Sequence, residues 1–187
     1  YLLAGSSSSH RSDKLAAGKP DPFGKSETGF GNLDYWVVKL DSEGNIEWQK
    51  TFGGRYADQL RSAVQTRDGG YLLGGSSNSP ESGNKTEKCY GMSDYWAIKL
   101  DSKGEPEWQK VYGGEGDDQL QAVLQSRDGN FLLAGSSASG TTGNKNASNG
   151  KGTDFWLLKI DPAGEIIWQK TYDVGKTDLL TSLEENN

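Results

Sequence analysis

Asp34-Tyr35-Trp36-Val37-Val38-Lys39-Leu40 is the stretch that decides the fold. It returns as Asp94-Tyr95-Trp96-Ala97-Ile98-Lys99-Leu100 and as Asp154-Phe155-Trp156-Leu157-Leu158-Lys159-Ile160, 60 residues apart each time. Working outward, Trp48-Gln49-Lys50 returns at Trp108-Gln109-Lys110 and Trp168-Gln169-Lys170, and Asp58 returns at Asp118 and Asp178. Tyr71-Leu72-Leu73 matches Phe131-Leu132-Leu133. Tyr1-Leu2-Leu3 precedes Tyr71 by 70 residues rather than 60, so the first copy carries a loop longer by ten. All 6 Trp fall on two repeat positions. The copies share residue identities and not only a hydropathy pattern, which makes the period the leading signal.

One repeat reads as four strands. The first runs from about Gln59 to Thr66 and ends at Arg67-Asp68-Gly69-Gly70, a hairpin signal because Gly tolerates the positive φ of tight turns. The second is Tyr71 to Ser77, followed by a long Ser/Gly/Asn/Lys loop from Asn78 to Ser93. The third is Tyr35 to Leu40, or Tyr95 to Leu100 one unit on. Asp101-Ser102-Lys103-Gly104 is a second tight turn, and the fourth strand runs from Glu105 to Tyr112, ending at Gly113-Gly114. Strand three is apolar on both faces, with Trp36, Val38 and Leu40 on one and Tyr35 and Val37 on the other. Such a strand lies in a sheet covered on both sides. Strand four alternates, with Ile46, Trp48 and Phe52 opposite Glu47, Gln49 and Thr51, as a half-wet outer strand does. No window of ten residues has helical periodicity.

The predicted fold class is therefore all-β: a β-propeller segment of four-stranded antiparallel blades on a 60-residue repeat. Residues 1–57 form a partial blade lacking its first strand, 58–117 and 118–177 are full blades, and 178–187 begins a further or closing blade with a strand at Asp178 to Leu183. That is three blades' worth, whereas propellers have about four to eight. The ring is expected to close with additional blades from a longer parent chain or from a second copy.

Composition removes several function classes. Lys+Arg is 20 against Asp+Glu 26, a net charge of -6, which does not suit a phosphate-tracking nucleic-acid binder. No apolar run approaches the ~20 residues of a membrane helix. Hydrophobic residues are only 33%, yet 8 Tyr, 5 Phe and 6 Trp are not a disordered composition. One Cys (Cys89) and one His (His10) leave no internal disulfide, no Cys-cluster or multi-His metal site and a poor basis for a His-based triad. The Gly-Gly pairs precede no helix and are not phosphate loops. Asn84-Lys85-Thr86 and Asn146-Ala147-Ser148 match the glycosylation sequon but carry little weight here. Cys89 reads as a free loop thiol without a role.

The unit Asp-Tyr-Trp-x-x-Lys-Leu-Asp-x-x-Gly-x-x-x-Trp-Gln-Lys-x-x-Gly-Gly, followed by Asp-x-Leu and by Asp-Gly-Gly-Tyr-Leu-Leu-x-Gly-Ser-Ser, resembles the tandem β-propeller repeats of Bacteroidota secreted and cell-surface proteins, often type IX secretion substrates. The resemblance spans nearly the whole chain. It implies export to the medium or the outer cell surface, a binding, adhesion or scaffold role, and no defined catalytic residues. Where that family's loop usually reads Ser-Gly-Asp-Lys, this chain has Ser82-Gly83-Asn84-Lys85 and Thr142-Gly143-Asn144-Lys145. The missing carboxylate weakens the idea of calcium in those loops.

Strand direction places any site. Alternating strands put the tight 1–2 and 3–4 turns on one edge, and the long 2–3 and 4–1 connections on the other: 6–33, 78–93 and 138–153, with 53–57 and 113–117. Binding residues concentrate on loops held by a rigid scaffold. Arg11, Lys25, Tyr56, Asn84, Lys85, Asn144 and Lys145 are therefore the candidate ligand-binding residues, facing a protein or glycan. Trp36, Trp96 and Trp156 sit mid-strand as core, and Trp48, Trp108 and Trp168 read as packing between blades. Asp34, Asp94 and Asp154, like Asp58, Asp118 and Asp178, stand at loop-to-strand junctions, where carboxylates accept backbone N–H bonds. Asp117-Asp118 is a weak acid/base pair because neighbouring strand residues point to opposite faces. The functional expectation is a non-enzymatic extracellular module with no cofactor and no metal. The alternatives are an accessory propeller of a secreted carbohydrate-active enzyme and a structural spacer.

Overall fold

The computed structural model describes residues 1–8, 24–148, 150, 152–173 and 175–186. They form eleven strands: β1 (Leu2–Ser7), β2 (Asp34–Leu40), β3 (Ile46–Phe52), β4 (Asp58–Gln65), β5 (Tyr71–Ser77), β6 (Asp94–Leu100), β7 (Pro106–Tyr112), β8 (Asp118–Gln125), β9 (Phe131–Ser137), β10 (Asp154–Ile160) and β11 (Ile166–Tyr172). No helix occurs among the described residues. The strands make three antiparallel sheets in simple sequence order, β1 to β3, β4 to β7 and β8 to β11. The 60-residue period thus becomes one sheet per unit.

The turns form for local reasons. Asp41 Oδ1 accepts the N–H groups of Glu43 and Asn45 at 2.8 and 2.9 Å, and Gly44 takes the left-handed φ of 87° that closes the β2–β3 hairpin. Asp101 and Asp161 repeat the arrangement. Each first strand of a complete sheet is bulged, between Leu60 and Ser62 and between Leu120 and Ala122.

The sheets stack face to face, and the middle one is apolar on both sides. Trp96, Ile98 and Leu100 of β6 pack toward the first sheet, among Tyr35, Val37 and Phe52. Tyr95 and Ala97 of the same strand pack toward the third, among Leu120, Leu133, Trp156 and Leu158. This is the two-faced strand that the sequence predicts. Trp96 and Trp156 are fully buried, as core assignment requires. Trp48 meets Tyr71 edge-on at 5.8 Å, and Trp108 Nε1 donates to Pro162 O at 2.9 Å, so the outer-strand tryptophans span neighbouring sheets.

A polar stitch crosses each interface. Tyr35 Oη donates to Trp96 O at 3.0 Å and Tyr95 Oη donates to Trp156 O at 3.1 Å. The rings behind the stitches lie 4.7 and 4.8 Å from those Trp rings. Glycine makes room: a Cβ on Gly75 or Gly135 would stand 2.7 Å from the tyrosine oxygen. Lys50–Glu105 at 2.7 Å and Lys110–Glu165 at 2.8 Å join the outer strands.

The outer faces of the stack lack these partners. Tyr172 is 51% exposed where Tyr112 is 2%, and Trp168 is 37% exposed. On the first sheet Leu3 is exposed and Trp36 half-buried. A cavity of about 620 Å³, lined by Tyr1, Leu2, Ala4, Lys39, Ala63, Gln65 and Tyr71, runs between β1 and the second sheet.

The strand expected from Asp178 to Leu183 does not form; these residues have no ladder. They nevertheless follow the path of a first strand. Leu180 N meets Ser136 Oγ as Leu60 N meets Ser6 Oγ and Leu120 N meets Ser76 Oγ, and Arg127 N donates to Glu185 as Arg67 N does to Gln125. A strand needs a neighbour to exchange backbone hydrogen bonds with, and among the described residues no strand pairs with this segment.

Trp96→Ala should destabilise by about 3–5 kcal/mol, because it opens a cavity at the first interface. Trp168→Ala, on an open face, should cost less than about 1 kcal/mol. Urea unfolding of both variants decides this; equal losses would contradict the stacking described.

Candidate functional site

The long connections converge on one edge, as the strand alternation requires. Their contents are knitted together. In 53–57 four of the five N–H groups are taken by side chains of the following loop: Gly53 by Asn84 Oδ1, Arg55 by Ser82 Oγ, Tyr56 by Ser79 Oγ and Ala57 by Asn78 Oδ1, at 2.8 to 2.9 Å. Asn84 Nδ2 also donates to Thr51 O at 2.8 Å. Asn144, Thr142 and Ser139 do the same for Gly113, Glu115 and Gly116. Asn84 and Asn144 are thus half-buried staples between sheets, and Asn144 also lines an open hollow of about 370 Å³ with Tyr90, Lys110 and Glu165.

Lys25, Lys85 and Lys145 of these loops turn inward, whereas Lys88 stays exposed. Gln109 of the Trp-Gln-Lys repeat grips the backbone on both sides of Lys85: it accepts from Thr86 N at 3.4 Å and donates to Asn84 O at 2.8 Å. Gln169 treats Lys145 identically through Asn146 N and Asn144 O, and Gln49 treats Lys25 through Ser26 N and Gly24 O. The clamp leaves Lys85 and Lys145 only 2% exposed and Lys25 buried. The Lys85 and Lys145 ammonium groups lie 5.6 Å from the centres of the Trp96 and Trp156 rings, a cation–π geometry. They donate to Glu87 O and Ala147 O respectively.

Each lysine faces carboxylates. Asp58, Ser77 and Asp94 lie side by side across β4, β5 and β6, and Lys85 interacts with both acids; Lys145 does so with Asp118 and Asp154. Asp58 Oδ2 accepts Gly54 N at 2.7 Å and Ser79 Oγ at 3.0 Å, while Asp94 Oδ2 accepts Tyr90 N at 2.7 Å. These are the backbone-capping roles expected of junction aspartates. Asp94 Oδ1 lies where a Cβ of Gly113 would be, 1.8 Å away, so glycine is needed there. Burial raises Asp94 to about 6, helped by the nearby Asp118 carboxylate and opposed by the Tyr90 and Gly91 N–H groups. Burial also raises Asp58, lowers Lys85 and Lys145, and pushes the Cys89 thiol to about 11. Cys89 is accordingly no nucleophile; its sulfur donates to Ser77 O at 3.0 Å.

The seven predicted site residues therefore separate. Lys25, Lys85 and Lys145 are buried, against the expectation that they face a ligand, while Asn84 and Asn144 are half-buried and bonded within the fold. Tyr56 is 45% exposed on the loop edge, with the Arg55 guanidinium 5.9 Å from its ring centre. Arg11 lies outside the described residues. Asp117 and Asp118 do point apart: Asp117 accepts from Gln119 Nε2, while Asp118 Oδ2 accepts Gly114 N and Ser139 Oγ.

Another group of residues lines an open hollow of about 250 Å³ near Tyr56. Gln59, Ser76, Asn78, Met92, Asp117 and Gln119 shape it, drawn from the second and third sheets and their connections. Met92 is 72% exposed at its rim. Gln59 and Gln119 occupy the same repeat position, one residue after the junction aspartate, and that recurrence was the signal in the sequence. A third feature of the same edge is acidic: one carboxylate oxygen each of Asp154, Asp173 and Asp178 lies within 4.8 Å of the others. The chain matches no protein-family model, and no curated protein is similar to it.

Asp94 binds its proton at about 6 when folded and at the ordinary 3.8 when unfolded. A raised carboxyl favours the fold fully below about pH 4 and loses that contribution as pH rises to about 6. The loss amounts to about 3 kcal/mol. Asp94→Asn should remove it: its stability relative to wild type should improve by about that amount between pH 4 and pH 7 in urea titrations. A pH-independent difference would disprove the assignment.

Proposed function

We propose that the chain is part of a β-propeller whose long-loop edge binds a protein or glycan at the bacterial cell surface or in the medium, without catalysis. Three features support the propeller reading: one sheet per 60 residues, face-to-face stacking in sequence order, and outer faces that carry exposed Trp168, Tyr172 and Leu3. Apolar faces of this kind are covered when further sheets of the same type stack on them. Those sheets come from a longer parent chain or a second copy. The residues 178–185, with the sequence of a first strand and no ladder of their own, suit the free edge of β1 beside the 620 Å³ cavity. Export rests on the family resemblance.

The observation that carries the binding role is the hollow around Gln59, Asn78, Asp117 and Gln119. Its walls mix amides, hydroxyls and the Asp117 carboxylate with Ala57 and Met92, and bonds within the fold hold several of them: Asn78 Oδ1 accepts Ala57 N, and Gln119 Nε2 donates to Asp117 and Ser93. Amides in fixed positions suit the hydroxyls of a sugar or the backbone of an extended peptide. Ala57 and Met92 add apolar contact within it.

A glycan and extracellular-protein array probed with the 187-residue chain tests this reading. A saturable partner should emerge, and Gln59→Ala or Gln119→Ala should weaken it by about tenfold, or ~1.4 kcal/mol, with the melting temperature kept. A partner indifferent to both substitutions, or none across the arrays, refutes the binding role. Native mass spectrometry tests closure by copies: an assembly near twice the 20.3 kDa chain is expected, and a monomer at tens of micromolar concentration argues against it.

A further inference from the structure

The first sheet carries a copy of a socket that the chain fills twice elsewhere. In the second sheet Gly75 stands opposite Trp96 and Leu73 opposite Ile98; in the third, Gly135 stands opposite Trp156 and Leu133 opposite Leu158. Each socket receives the tyrosine of the preceding sheet, Tyr35 or Tyr95, with its hydroxyl on the tryptophan carbonyl. In the first sheet Gly5 stands opposite Trp36 and Leu3 opposite Val38, in the same register. Leu3, Ala4, Gly5, Trp36 and Val38 line an open apolar hollow of about 220 Å³. Among the described residues nothing lies within 4 Å of a Cβ built on Gly5.

The third sheet carries the matching face. Tyr112 Oη donates to Gly164 O at 2.7 Å and Trp108 Nε1 to Pro162 O at 2.9 Å, so an outer strand grips the tight turn of the next unit. One unit on, Tyr172 and Trp168 carry the same donors and are 51% and 37% exposed. The turn that suits them exists in the first unit. Gly44 has a φ of 87° where Gly164 has 84°, and Asp41 accepts the turn N–H groups as Asp161 does. Phe155, half-buried, holds the tyrosine position of this face. Two links are weaker than within the chain. Phe155 has no hydroxyl for a tryptophan carbonyl, and Asn45 stands where Glu105 and Glu165 accept Lys50 and Lys110.

We propose that the third sheet of one copy of this chain docks on the first sheet of a second copy, with the Phe155 ring in the socket of Leu3, Gly5, Trp36 and Val38. The contact continues the stacking interface already present twice within the chain. Tyr172 Oη and Trp168 Nε1 of one copy then donate to the carbonyls of Gly44 and Ser42 of the other, by the 60-residue correspondence. The same docking lays residues 178–185 of the first copy along the free edge of β1 of the second, because Leu180 already meets Ser136 as Leu120 meets Ser76. Two different faces meet, so the contact is heterologous and either extends a stack or closes it into a ring. Two copies of three sheets bring six, within the about four to eight of a closed propeller. The inference rests on the propeller reading and not on the hollow at Gln59. The two weak links make the contact between copies looser than those within the chain, so it forms reversibly.

Sedimentation equilibrium of the 187-residue chain across a concentration series tests this. The wild type should associate reversibly. Phe155→Tyr and Asn45→Glu each restore the residue that the other two units carry, the second one opposite Lys170 of the other copy. Each should tighten the association by about three- to tenfold. Gly5→Val fills the socket with a strand-forming residue that meets no described neighbour within its own copy. It should weaken association by at least about tenfold and keep the circular dichroism of the wild type. Growth that stops at the dimer supports ring closure; open-ended growth, still sensitive to these substitutions, keeps the contact and counts against the ring. A wild type that stays monomeric at its highest soluble concentration, or association unmoved by both Phe155→Tyr and Gly5→Val, would overturn the contact and leave these faces to sheets of a longer chain.

Discussion

Everything in the stack depends on a tyrosine hydroxyl reaching out of its own sheet. Tyr35 and Tyr95 each place the ring against a tryptophan of the next sheet and the hydroxyl on that tryptophan's carbonyl. Burying a phenol is tolerable only if its oxygen is bonded. The bond therefore sets both the separation and the lateral register of the sheets. Gly75 and Gly135 suit it, since a Cβ there would stand 2.7 Å from the hydroxyl, although the Gln59 and Gln119 carbonyl oxygens would be closer still, at 1.9 and 2.0 Å. The Lys–Trp contacts follow too, because each buried tryptophan offers its ring to the lysine folded in from the loop. The repeat is thus a repeat of contacts as well as of residues.

The loop edge is held by a second set of identities. The Gln of each Trp-Gln-Lys clamps a loop, the Asn before Lys85 and the Asn before Lys145 each secure a Gly-Gly corner, and the junction aspartates gather further N–H groups. Long connections of this composition would ordinarily be mobile. In 53–57 with 78–84, and in 113–116 with 139–144, many donors and acceptors are taken up within the fold, which makes these parts of the edge firm.

The strands were legible because apolar residues on both faces of 34–40 and its copies have one explanation, a sheet covered on either side. The 60-residue identities gave the unit and its turns. The roles of the loop residues were not legible. A lysine in a Ser/Asn/Gly loop looks solvated, and only the Gln109 and Gln169 clamps, distant in sequence, turn Lys85 and Lys145 inward. The asparagines were misjudged for the same reason. The segment after Asp178 carries the pattern of a strand but has no neighbour to make it one. Asp173 was visible as a break in the Gly-Gly series, yet its approach to Asp154 and Asp178 emerges only when the chain is folded.

The stitches between sheets all run in one sense, from the tyrosine of an earlier unit to the tryptophan carbonyl of a later one. The stack is therefore directional, like a chain of identical hooks and eyes. A tandem duplication of the 58–117 unit, which carries both Tyr95 and Trp96, would insert another hook and another eye in the correct order and create no interface of a new kind; the 118–177 unit, with Phe155 in place of the tyrosine, carries the eye but no hook. A gene encoding such a chain can lengthen or shorten by whole units through recombination between its own repeats, and each product inherits interfaces that already pack.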